Sequence, residues 1–210
     1  MFKIQRLLVM AVACATVCSV LRADDTTEPP LSYILEVDGQ KFLLNADKTV
    51  ILKGKFDNPK VTLRPSETRR FEHEGIAFDY PANFTFEADL DEPGIRTWTM
   101  SGNNVTLMLF DFEEAVKPAE LIASTAETLN TDVDRMDPVT LKLGSLNSEG
   151  HTAQLKVGEV ALTYTVVALP SNEGKSRLFI VQDLPKDDGQ PSDEKTAILG
   201  TLEKSFIHKQ

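Results

Sequence analysis

His73, His151 and His208 are the three histidines of the chain, and a metal site or a general base built on imidazole would have to draw on them. His73 is followed by Glu74, but the helical H-E-x-x-H spacing, which sets two imidazoles on one helix face, is absent. His73 stands instead at the approach to a strand. His151 follows Gly150, and His208 lies near the end of the chain. Surface or loop roles are the expectation for all three, and no metal site is assigned. The segment EADLDEPG gathers Glu87, Asp89, Asp91 and Glu92, hard oxygen donors of the kind that hold calcium. It lacks the twelve-residue order of an EF-hand, so a solvated acidic loop is expected. Serine is plentiful, yet there is no G-x-S-x-G turn and no Gly-rich phosphate loop before a helix. A catalytic triad is a spatial object, so spacing alone leaves that alternative open. On these grounds no catalytic, cofactor-binding or metal-ligating residue is assigned and no cofactor is expected. Asp79, Asn83, Asp89 and Asp91, around the aromatic stretch GIAFDYPANFTFEAD, are the residues to inspect first.

That stretch poses the clearest choice between a site and a core. Ile76, Phe78 and Tyr80 share one face of an extended segment, and Phe84 and Phe86 resume the alternation after Pro81. Proline has no backbone N–H to give and disfavours helical geometry at Tyr80, so a strand ends or bends there. The composition favours a hairpin whose aromatic face enters the core. Tyr80 is expected to bury its ring while its hydroxyl meets a backbone group at the sheet edge.

The elements around it read as mixed α and β. Tyr33, Leu35 and Val37 alternate before Asp38-Gly39, a hairpin signal. TVILKGKF and KVTLRP are expected as two further short strands, giving a small β appendage over about 31–65. IRTWTM and NVTLMLFDF flank a turn at Ser101-Gly102-Asn103. In the second of these, Thr106, Met108, Phe110 and Phe112 form one face and Val105, Leu107 and Leu109 the other, which predicts a central strand covered on both sides. PAELIASTAETLN changes to helical spacing, with Pro118 in the first turn. VTLKLGS, HTAQLKV, EVALTYTVVALP and SRLFIVQDL return to strands. Ser192 or Asp193 is placed to cap a final helix that buries Ile198, Leu199, Leu202 and Phe206.

The first 23 residues are set apart. MFKIQR is basic, LLVMAVACATVCSVL is apolar, and RADD turns acidic, which is the layout of a secretory signal peptide cut after Ala23. Leu21 stands three places before that cut, where a small residue is usual, so an uncleaved anchor is the alternative. Cys14 and Cys18 both lie in the apolar run, so a cleaved chain carries no disulfide. Residues 24–32, with two prolines, read as a polar tether. Cleavage leaves 187 residues and removes three of the 22 basic residues but none of the 32 acidic ones, moving the charge from −10 to −13. So negative a surface argues against nucleic acid and anionic lipid as partners. No membrane span is expected in the mature form. Asn83-Phe84-Thr85 and Asn104-Val105-Thr106 match the glycosylation tripeptide but fall at proposed strands, and no glycan is assigned.

GIAFDYPANFTFE, the pair TWTMSGNNVTLMLFDF, the central helix and the closing ILGTLEKSFI together resemble the family of the photosystem II extrinsic protein PsbP and the nuclear-transport cofactor Mog1. The matching positions are Phe78, Tyr80-Pro81, Phe84 and Ser205-Phe206, and the resemblance covers about 70–208. Where the family often has tryptophan after Tyr-Pro, this chain has Phe84. The resemblance implies an α/β/α sandwich around a central antiparallel sheet, and it carries no catalytic residue over.

The expectation is therefore an exported, acidic α+β protein. It acts as a non-enzymatic binding or accessory protein with a protein partner of unspecified identity. The alternatives are a hydrolase with a spatially assembled site and a structural protein of the cell envelope. Export with cleavage predicts that protein recovered from its host begins at Asp24, by N-terminal sequencing and intact mass. A retained Leu7–Leu21 segment would contradict it.

Overall fold

The computed structural model describes residues 28–45, 49–133 and 135–209. The proposed signal peptide and residues 24–27 of the tether lie outside the described residues. The chain begins with a three-stranded antiparallel sheet of β1 (Tyr33–Val37), β2 (Gln40–Leu44) and β3 (Val61–Pro65), in the order β2-β1-β3. Val37 pairs with Gln40, so Asp38 and Gly39 alone make the turn, at φ of 51° and 83°. Both are in the left-handed region that a two-residue turn of this hand requires. The expected strand in TVILKGKF is absent from its described residues, 49–56. Ile51 is 81 % exposed, so these apolar residues have no sheet to enter.

Next come β4 (Thr68–His73), β5 (Ile76–Pro81), β6 (Thr85–Asp89), β7 (Ile95–Ser101) and β8 (Val105–Phe112), followed by α1 (Pro118–Thr128). The chain continues through β9 (Met136–Leu143), β10 (Leu146–Val157), β11 (Val160–Leu169), β12 (Ser176–Asp183), α2 (Asp193–Ser205) and β13 (Ile207–His208). Seven strands form one antiparallel sheet in the order β6-β7-β8-β12-β11-β10-β9, and β13, β5 and β4 form a smaller one.

β8 carries the argument for layers. Leu107 and Leu109 point into one core, with Trp98, Phe179, Ile198 and Phe206. Met108, Phe110 and Phe112 point into the other, with Leu121, Ile122 and Tyr164. Alternation at period two places the two cores on opposite faces of the large sheet. α1 covers one face through Leu121, Ile122, Thr125 and Ala126, packed on β10 and β11. α2 and the small sheet cover the other. The architecture is the expected α+β sandwich, with one outer layer made of a helix and a three-stranded sheet together.

The aromatic stretch is core, as expected, with Phe78 and Tyr80 at 0 % exposure and Phe84 at 3 %. It is not a hairpin. β5 pairs with β4 and β13, whereas β6 pairs with β7 at the edge of the large sheet. The reason lies at Pro81, whose carbonyl accepts from Phe84 N at 3.1 Å, while Ala82 N donates to Glu67 O at 2.9 Å. That tight turn carries the chain from one sheet to the other. Phe84 then fits over Gly102, where a Cβ would lie 2.4 Å from its ring. A residue other than glycine would have to move an aromatic ring that is itself packed in.

α2 is fixed at both ends. Ser192 Oγ accepts from Lys195 N at 3.0 Å, an N-cap. Within the same first turn, the Glu194 carboxylate accepts from Asn103, Asn104 and Val105 N at 3.3, 2.5 and 2.8 Å, tying the helix to the β7–β8 turn. At the other end Phe206 stacks on Phe78 with centroids 5.7 Å apart, and Ser205 Oγ accepts from Asp79 N at 3.0 Å.

Tyr80 departs from expectation at its tip. Its hydroxyl is buried without a hydrogen-bond partner among the described residues, and burial pushes its pKa up to about 12. Removing that hydroxyl therefore removes little. Tyr80→Phe should cost under about 1 kcal/mol or stabilise the protein, whereas Tyr80→Ala and Phe78→Ala should each cost about 3–5 kcal/mol. Equal losses for the two Tyr80 variants in denaturant unfolding would contradict the burial account.

Candidate functional site

Asp111 is the one charged residue of β8, and it sits in a strand otherwise built for burial. A carboxylate so placed needs cationic partners. It has one on each side: in the strand register Asp111 pairs with Arg96 of β7 and with Arg177 of β12. Arg177 grips it twice, Nε donating to Oδ1 and Nη2 to Oδ2, the latter at 2.9 Å. Arg96 Nη2 donates to Oδ2 at 3.2 Å.

A third element completes the group. β4 and β5 are joined by Glu74 and Gly75, with φ of 41° and 83°. A Cβ on Gly75 would lie 2.6 Å from Lys209 O, because the tail crosses the turn and Lys209 N donates to Gly75 O at 2.8 Å. Glu74 holds a left-handed conformation that costs a non-glycine residue about 1 kcal/mol or more. Its carboxylate meets both arginines, Arg96 Nη2 at Oε1 and Arg177 Nη2 at Oε2, each at 2.9 Å. His73, just before it, places Nε2 3.0 Å from Asp111 Oδ2 and 3.7 Å from Glu74 Oε1. The imidazole lies over Trp98, with centroids 4.1 Å apart, and Arg96 lies over the same indole at 5.8 Å.

The electrostatics follow from these contacts. Burial alone would raise the Asp111 carboxyl, but hydrogen bonds and charge from His73 and Arg177 outweigh it and bring the pKa down to about 2. The hydrogen bond from Arg96 holds the Glu74 carboxyl below its ordinary value. Burial works against the Arg177 charge, yet its bonds to Asp111 and the charges of Asp111 and Glu74 raise its pKa overall. Both carboxylates are ionised at neutral pH.

Glu74, Arg96, Asp111 and Arg177 open onto a cleft of about 880 Å³. The 90–96 loop, the end of β8, the 170–177 connection and the tail at His208 and Lys209 supply its walls. His73 stands off the cleft, behind the carboxylates.

Among the described residues, His73, Glu74 and Asp111 form a group whose donor atoms lie within 4.8 Å of one another, close enough to share an ion. Glu87, Asp89, Asp91 and Glu92 form no such group and are exposed. Of the residues marked for first inspection, Asp91 lines the cleft. Asp79 is paired with Arg70 at 2.8 Å, and Asn83 is exposed. His208 lines the cleft without joining the group, and His151 lies on β10 with Nδ1 buried and no partner among the described residues. Sequence reading sets His73-Glu74 aside with a surface or loop role expected, whereas His73 is a largely buried residue of β4, and Asp111, Arg96 and Arg177 are not singled out. The signal was there: a charge inside LMLFDF and another inside SRLFIVQDL, each at a position that alternation makes inward.

The chain matches no family model and no curated protein, so the resemblance to the PsbP and Mog1 group rests on the quoted residues alone.

Asp111→Ala should destabilise the protein by about 3–5 kcal/mol, because it strands the Arg177 charge. The lowered carboxyl also links stability to pH. Its contribution, about 2 kcal/mol, is present above the ordinary value of 3.8 and is lost as pH falls from there through about 2. Acid unfolding followed at Trp98 should show this slope in the wild type and lose it in Asp111→Asn. An unchanged slope would contradict the assignment.

Proposed function

We propose that the protein is an exported hydrolase whose site is assembled in space from His73, Glu74 and Asp111, with Arg96 and Arg177 around them. The observation that supports this reading is the gathering itself: two ionised carboxylates, one from the β4–β5 turn and one from β8, line a cleft, and the β4 imidazole meets both from beside it. The carboxylates and the imidazole are the groups able to hold and polarise a water. The guanidinium of Arg96, half-exposed on the cleft, is placed to meet the oxygen on which charge develops when an ester, amide or phosphoester is attacked. Arg177 holds the outer oxygens of both carboxylates and so fixes their orientation. Neither carboxyl serves as a general acid near neutrality, since both are held below the ordinary range. The backbone strain at Glu74 fits the same reading, because a turn that favours glycine or asparagine carries instead the residue that supplies a carboxylate.

A second reading, the exported non-enzymatic binding or accessory protein, is favoured by one observation. Each carboxylate already has guanidinium partners, so the cluster can act purely as a clasp with the cleft beside it as a docking place. The resemblance to a group whose members work through protein contacts points the same way.

The two readings separate in an assay of the full exported chain against chromogenic esters, phosphoesters, peptides and glycosides. Glu74 is half-exposed, so Glu74→Gln should leave the fold intact by circular dichroism. It should lower turnover on the active class roughly 100-fold or more. No turnover on any class, together with a host partner captured equally by the wild type and Glu74→Gln, would overturn the hydrolase in favour of the binding protein.

A further inference from the structure

Arg96 Nη2 occupies an unusual point. It lies 2.9 Å from Glu74 Oε1 and 3.2 Å from Asp111 Oδ2. Those are the same two oxygens that face His73 Nε2, at 3.7 and 3.0 Å. One positively charged nitrogen thus bonds both carboxylate oxygens that the imidazole nitrogen also faces, and those three acceptor atoms are a donor set that suits first-row divalent metals. We propose that this point is a site for a divalent transition cation of the Zn²⁺ or Mn²⁺ class, which binds by displacing the Arg96 guanidinium. The proposal rests on the reading of the cluster as the working site and names the group that would polarise the water there.

Three features separate Arg96 from Arg177 and make it the one that yields. Its side chain is 42 % exposed against 10 % for Arg177. It holds both carboxylates through a single nitrogen, whereas Arg177 uses Nε and Nη2 on Asp111 and adds a bond from Nη1 to Glu74 O at 3.3 Å. It also borders the cleft, so a swing outward puts its charge into solvent beside Asp91, Glu92 and Glu113 on the cleft wall. The charge balance agrees. With Arg96 in place the two carboxylates and two guanidiniums cancel. With Arg96 gone, Glu74, Asp111 and Arg177 leave one net negative charge facing the vacated point. Arg177 then remains bonded to both carboxylates, through both oxygens of Asp111 and Oε2 of Glu74, an outer-shell brace of the kind that orients ligating groups.

The protein carries its own reporter. Trp98 is the single tryptophan, and it touches both the imidazole and the guanidinium. Titration of the untagged full chain with Zn²⁺, and separately with Mn²⁺, should change Trp98 fluorescence saturably. Arg96→Ala removes the internal competitor and should tighten binding roughly tenfold or more, as loss of a competing occupied state requires. His73→Gln and Glu74→Gln should each abolish the response, with the fold checked by circular dichroism. Binding no tighter in Arg96→Ala than in the wild type would overturn the proposal, as would a response that survives both ligand substitutions. Failure of the hydrolase reading is distinguishable. Saturable metal binding without turnover leaves the cation site standing, whereas turnover indifferent to chelator removes the cation and leaves the hydrolase.

Discussion

The carboxylate of Asp111, held between Arg96 and Arg177 on neighbouring strands, governs how the two sheets meet. β7, β8 and β12 lie side by side, so the three charges form one row across the large sheet. That row would be intolerable on an apolar face without satisfying partners. The β4–β5 turn delivers Glu74 to balance the second guanidinium, and His73 fills the remaining acceptor on Asp111. The small sheet is thereby registered on the large one at a single point. Apolar packing of Phe71, Phe78 and Phe206 is strong but non-directional, whereas the ion cluster fixes which atoms must meet.

From this registration the cleft follows. The tail that crosses Gly75 ends beside the cluster, and the loop before β7 lies on the other side. Both walls are positioned by residues of the clasp or their immediate neighbours. A shift of the small sheet would open one wall and break the ion pairs together. Stability and the shape of the site are coupled through the same five side chains.

Much of the fold was legible because it rests on local period. β8 reads apolar on both faces, and its two cores lie where alternation puts them, Leu107 and Leu109 against Met108 and Phe110. The two helices and the Ser192 cap were legible for the same reason. What failed depended on pairing over distance. The segment 75–89 alternates like a hairpin, yet its halves join different sheets, since alternation records burial and not partner. TVILKGKF is rich in strand formers but finds no ladder. The site was least legible of all. Its charges come from four strands and a turn, and only His73 and Glu74 are neighbours in sequence. Asp111 and Arg177 announced themselves as charges inside apolar runs. Knowing that they pair requires the order of strands in the sheet.

The presence of so many charges in this place calls for an explanation beyond stability. A buried ion network can often be replaced by apolar residues of similar volume without loss, because desolvation offsets much of the attraction. Here the surrounding layer is already apolar, with Trp98, Phe71 and Leu109 on the same side of the sheet. Two buried charged side chains, Asp111 and Arg177, therefore interrupt a core that Leu and Phe would have continued, and His73, Glu74 and Arg96 complete the cluster at its edge. One of them, Glu74, adds a left-handed backbone, and another, Arg96, stands half in water where its pairing contributes least. A clasp optimised only for holding sheets together would use neither. Both features follow if the cluster has to face the cleft and keep one of its cations exchangeable, which ties the join between the sheets to whatever the cleft admits.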